Sequence, residues 1–194
     1  MTPEESFEIG NLFFYGIGRR KNYKKAFPFL LVAARAGDAH CQNLVGYCYD
    51  NGVGVTKDLQ AACFWYGYAA RNDDLEGLFN LALCYVTGQG VKGSLKKAFS
   101  LYRKAAELGH VWSQCNLGVA YLEGAGTKED LVEGIKWLRK AARGGDDKAQ
   151  YNLGMAYLDG DEGVRKNLWS ARLWLEKAAL QGHKKASTAL KKLG

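Results

Sequence analysis

The chain has 194 residues, 47% of them hydrophobic and 24% charged, which excludes a disordered polymer and allows a substantial buried core. Its longest apolar stretch, Ala26 to Ala34, includes Pro28 and falls well short of the roughly 20 residues that a membrane-spanning helix needs, so no membrane partner is expected. The net charge of +7 raises nucleic acid as a partner, a question for the placement of the basic residues.

A period organises the elements. Gly16, Gly52, Gly88, Gly124 and Gly160 stand 36 residues apart, and Phe13, Tyr49, Tyr85, Tyr121 and Tyr157 keep step with them. So do the small residues Gly10, Gly46, Ala82, Gly118 and Gly154. The row Ala33, Ala69, Ala105, Ala141 and Ala178 slips by one at its last member, which places one inserted residue in the turn Gly160-Asp161-Glu162-Gly163. Self-similarity of this kind marks a solenoid whose units bury their apolar faces against neighbours. A single repeat domain over 1–194 is expected.

At the amino end, Thr2-Pro3-Glu4-Glu5 supplies an N-cap, a proline at the first helical position and a glutamate three residues after the threonine. That capping box opens the first repeat, 3–38. The acidic start lacks the basic and apolar regions of a secretory signal, so a cytoplasmic location is expected, or secretion if a leader was removed. Pro28, in the second helix of this repeat, removes a backbone bond and should bend that helix. In the second repeat, 39–74, Asn43 falls one place before the asparagine position of later repeats, and Leu44 takes the slot.

The third and fourth repeats span 75–110 and 111–146, and the fifth, 147–183, displays the unit plainly. Ala149, Leu153, Gly154, Ala156 and Tyr157 put small and apolar groups at helical spacing, and Gly160 follows as a left-handed C-cap. After a short turn, Leu168, Ala171, Trp174, Leu175, Ala178 and Ala179 give a second apolar face. Asn22, Asp58, Ser94, Asp130 and Asn167 open the second helices as N-caps, each contributing about 1 kcal/mol. Lys184 to Leu193 begin one more first helix, with Ala186, Ala189 and Leu190 on its apolar side and four lysines over the rest. A capping helix over 184–193 is expected.

Leu-Gly-x-x-Tyr-x-x-Gly-x-Gly, an N-cap, then Ala-x-x-Trp and Lys-Ala-Ala-x-x-Gly together resemble the Sel-one-like repeat, a relative of the tetratricopeptide repeat. Leu117 to Gly126, followed by Trp137, Lys140-Ala141-Ala142 and Gly145, carries the fullest match, and the resemblance runs from about Ser6 to the end. It implies an all-α fold: a right-handed α-solenoid of antiparallel helix pairs, five repeats of 36–37 residues plus the capping helix. It also implies a non-catalytic adaptor that binds a protein or peptide.

In tetratricopeptide arrays the first helices line a concave groove, and this resemblance carries those positions over by register from Leu153 and Gly154. It selects Tyr151, Asn152 and Met155; Cys115, Asn116 and Val119; Phe79, Asn80 and Leu83; Asn43, Leu44 and Tyr47; and Phe7, Glu8 and Asn11. His40 and Trp112 lie one turn earlier. Aromatic and methionine anchors between amides suit protein recognition. The asparagines could instead satisfy neighbouring backbone, and Phe79 and Tyr151 could pack between first helices.

Other chemistries leave weaker traces. Arg20, Lys21, Lys57, Lys92, Lys128, Arg165 and Lys166 recur in the turns between paired helices, a ridge that could track phosphates or be an ordinary solvated edge. The Gly-x-Gly turns follow a helix and not a strand, which argues against a dinucleotide site, and no cofactor or metal is expected. His110 and His183 share a turn position, while Asp73-Asp74 and Asp146-Asp147 should start the following helices through capping. Stapled bacterial relatives pair a cysteine in a Lys-Ala-Cys position with one seven residues later. Here Ala34, Ala70, Ala106, Ala142 and Ala179 hold the first position and only Cys41 the second. The five cysteines are expected as free thiols, Cys48 and Cys84 repeating one buried position, and the β-lactam chemistry of stapled relatives stands as a third alternative. A monomer is favoured.

Overall fold

The computed structural model describes residues 2–160 and 163–193, so the expected insertion at Asp161 and Glu162 lies outside the described residues. Among the described residues there are eleven helices and no strand. The first helices of the repeats are α1 (Pro3–Tyr15), α3 (Ala39–Asn51), α5 (Leu75–Thr87), α7 (Val111–Glu123) and α9 (Asp147–Asp159). Their partners are α2 (Tyr23–Arg35), α4 (Leu59–Arg71), α6 (Leu95–Glu107), α8 (Leu131–Arg143) and α10 (Leu168–Leu180), and α11 (Lys184–Leu193) follows.

Local chemistry sets these boundaries. Every expected N-cap of a second helix accepts a first-turn amide: Asn22 from Lys25 at 3.0 Å, Asp58 from Ala61 at 3.0 Å, Ser94 from Lys97 at 3.3 Å, Asp130 from Glu133 at 2.9 Å and Asn167 from Ser170 at 2.9 Å. Thr2 and Glu5 close the capping box on α1. Asp38, Asp74 and Asp146 cap α3, α5 and α9. His110 and His183 occupy the same register and cap α7 and α11 through Nδ1, which accepts from Ser113 and Ala186. The turn histidines are therefore helix starters. The first helices end on left-handed glycines, such as Gly124 at φ +64°. Where the second helices end, Asp73 takes φ +58° in a place that glycine fills elsewhere.

The chain divides into two compact units, Met1–Leu101 and Tyr102–Gly194, with the boundary inside α6. Within the first unit, α1 through α4 each pack on the next helix and α3 also touches α5. Leu30, Val45, Cys41 and Cys48 lie at the centre of its core. In the second unit, α7 to α11 likewise pack in sequence, around Ile135, Leu138, Leu153 and Leu175. The small row works by close approach. A Cβ on Gly118 would lie 2.8 Å from Leu138 Cγ and 3.0 Å from the Gly134 carbonyl, so α7 and α8 meet only because both glycines lack one. Helix α2 runs unbroken through Pro28, whose ring lies on the exposed side.

Candidate partner-binding face

On the N-terminal unit, α1, α3 and α5 bring aromatic groups together. Phe7 meets the His40 ring edge-on at 6.3 Å, and Tyr15 lies parallel to it at 6.2 Å, its hydroxyl 3.1 Å from His40 Nε2. Phe14 extends the cluster to Tyr47 at 5.7 Å. Tyr15 stands one turn beyond Asn11 on the same helix face, so continuing the register by four residues would have found it. Burial raises the Tyr15 phenol above its ordinary value, with Cys41, Asp74 and Glu76 adding to the shift. Asp74 is likewise raised by burial, while its bond from Gly77 and the nearby His40 oppose the rise.

The expected asparagines behave differently from the rest of the set. Asn80 donates its amide to Asn43 Oδ1 at 2.9 Å, tying α5 to α3. Asn43 is buried, as is Leu44, and its Oδ1 takes the Asn80 bond between neighbouring repeats. Cys115 lies in the core with Ala141, Ala142 and Ala149. Phe79 and Asn116 are half-buried, and Val119 packs beside the core of the second unit. Leu83 remains open, in a depression with Asp50, Cys63, Asn80 and Cys84.

On the second unit, Trp112 is 53% exposed, with its ring edge-on to His110 at 5.7 Å. Tyr151 stacks on His183 at 4.6 Å, and Tyr151 and Met155 both pack against the buried cluster of Leu175, Ala178 and Ala186. Asn152 is half-buried and lines a shallow depression with Lys148, His183 and Lys184.

Charge is sorted by helix in the N-terminal unit. With their N-caps, α1, α3 and α5 carry Glu4, Glu5, Glu8, Asp38, Asp50, Asp74 and Glu76, and neither lysine nor arginine. The partners of α1 and α3, helices α2 and α4, carry Lys24, Lys25, Arg35 and Arg71 and no carboxylate inside the helix, whereas α6, the partner of α5, adds Glu107 to Lys96, Lys97, Arg103 and Lys104. A total of +7 conceals this separation, which requires knowing which helices share a face. The turn residues Arg20, Lys21, Lys57, Lys92, Lys128, Arg165 and Lys166 are all exposed.

The five cysteines are free thiols. Burial pushes Cys48 up to about 12 and holds Cys41, Cys115 and Cys84 well above the ordinary thiol range. Cys84 is only half-buried, where Cys48 at the same register is buried; in the same depression the Cys63 thiol donates to the Gln89 carbonyl at 3.1 Å. Among the described residues no three acidic, histidine or cysteine groups converge as a metal site, and no helix is long and apolar enough to cross a membrane.

Solved structures share this architecture. A Sel1 repeat protein from Oxalobacter formigenes is 29% identical over 100% of this chain and 79% of its own, with a TM-score of 0.91. The protective antigen c5321 of uropathogenic Escherichia coli, which displays an SLR fold, is 30% identical over 95% of this chain with a TM-score of 0.87. This chain spans 39% of that protein's length. Cysteine rich protein B of Helicobacter pylori is 28% identical over 69% of this chain and 95% of its own, with a TM-score of 0.54. No curated protein matches the chain. The Sel1 repeat model matches five times in succession, at residues 6–38, 39–74, 75–110, 113–146 and 147–183, and the chain belongs to the Sel1 repeat family.

Proposed function

We propose that the chain is a non-catalytic scaffold that holds a partner protein or peptide against the first-helix faces of its repeats. The supporting observation is the set of large side chains those helices leave open: Tyr15 at 43%, Tyr47 at 38%, Leu83 at 37% and Trp112 at 53% exposure. Tyrosine and tryptophan dominate binding hot spots because each buries a large area and keeps a polar handle. Family membership supports the same role. The test is a triple variant, Tyr47→Ala, Leu83→Ala and Trp112→Ala, that melts as the parent does. A partner captured by the parent and identified by mass spectrometry should be lost; undiminished capture excludes these faces.

Nucleic acid is the second reading, favoured by the exposed cations in the turns between paired helices. It requires steep salt dependence, and a flat filter-binding titration at low salt eliminates it.

A further inference from the structure

We propose that the first-helix face of the N-terminal unit takes a lysine- or arginine-bearing segment of the partner protein, its cation received by Phe7, Tyr15 and His40 among carboxylates. The inference rests on the scaffold reading and names the chemistry of what that scaffold holds.

The first support is a cluster of rings without a cation of the chain over them. Several other rings carry one: Arg19 lies over Phe13 at 4.6 Å, Lys97 over Tyr85 at 5.1 Å, Lys140 over Trp137 at 4.0 Å and Lys177 over Trp174 at 4.5 Å. Among the described residues no lysine or arginine covers Phe7, Tyr15 or Tyr47. None can be supplied locally, since α1, α3 and α5 contain no such residue. A ring face attracts a cation through its quadrupole, and these rings await one from outside.

Charge complementarity is the second support. The face is acidic in a chain of net charge +7, so its sign is local and opposite to that of the whole. A depression of about 470 Å³ beside Phe7 is lined by Pro3, Glu4, Glu8 and Asp38, together with Ala33 and Ala36 at the end of α2. Asp74 and Glu76 add their field at Tyr15 from α5. Lysine and arginine supply the cation that the rings lack and that the carboxylates of this face attract. The second unit does not repeat the arrangement, because α9 and α11 contribute Lys148, Lys184 and Lys185 around Tyr151.

The experiment uses the full chain and three fluorescein-labelled peptides of one length: lysine/arginine-rich, its lysine-acetylated and citrulline-substituted form, and glutamate-rich. Anisotropy at low salt should show binding of the first alone. The double variant Glu4→Lys and Glu8→Lys, and separately Phe7→Ala, should each weaken it about tenfold, the scale of one well-placed cation–aromatic contact. Phe7→Leu keeps the side chain's bulk without its ring and should weaken binding as alanine does, which separates ring chemistry from a packing defect. Trp169→Ala, at an exposed ring on the second helix α10, should bind the peptide as the parent does. Equal binding of the neutralised peptide, or indifference to the Phe7 variants, overturns the proposal. So does sedimentation showing the face filled by the lysines of α11 from a second copy. If the basic peptide fails while Trp112→Ala still loses the captured partner, the scaffold reading stands and this one falls.

Discussion

Asp74 opens α5 by accepting from the Gly77 amide at 2.7 Å, yet burial raises its pKa in the folded chain. A carboxyl whose folded value exceeds its unfolded one opposes folding when ionised, and that opposition fades as pH drops through the raised value towards about 3.9. Asp74→Asn keeps the capping oxygen without the charge. Its urea midpoint should exceed the parent's at pH 7, and the gap should close by about pH 3.5; a gap that widens on acidification contradicts the assignment. Gly90 presents a different constraint: it sits at φ +73° with its α-carbon against the Leu59 carbonyl, where no Cβ fits. Gly90→Ala should cost about 2–3 kcal/mol in chemical denaturation, left-handed strain and a backbone clash combined. The Gly-x-Gly turn was visible in the sequence, but the contact that fixes its second glycine was not, because Leu59 belongs to the preceding repeat. His110 and His183 were read only as turn residues, since imidazole is not a favoured cap. Their register with Asp38, Asp74 and Asp146 was the available clue.

At the scale of the helix, most of the fold was legible, and for a local reason. A cap acts within three residues, so Asn22, Asp58, Ser94, Asp130 and Asn167 could be assigned without knowing any tertiary contact. The Asn43–Asn80 bond joins two repeats and needs the pairing of α3 with α5, which spacing alone does not give. Pro28 illustrates how packing overrides propensity. The helix α2 persists through it because Ala26, Leu30, Ala33 and Ala34 are buried on the other side. Proline in a helix interior is roughly 3 kcal/mol worse than alanine. Pro28→Ala restores a backbone donor at an exposed site and should stabilise the chain by about 1–3 kcal/mol. A lower melting temperature would mean that the ring makes a contact the helix depends on.

Across the whole molecule, the five-fold period was open to inspection, while the acidic and basic faces were hidden inside one net charge. The helices pack chiefly on their neighbours in sequence, so cohesion is short-ranged. Leu30 is fully buried against Gly10, and Leu30→Ala should cost about 2–5 kcal/mol at its site. Hydrogen exchange in that variant should accelerate most in α1 to α3 and least in α9 to α11. Uniform acceleration from end to end would mean that the array melts as one cooperative block.

Placing only carboxylates on α1, α3 and α5 and only cations within α2 and α4 also gives the N-terminal unit a permanent transverse electric moment. Near an anionic support such as a cation-exchange resin, that moment favours contact of this unit through its second helices and leaves its carboxylate-bearing helices turned away.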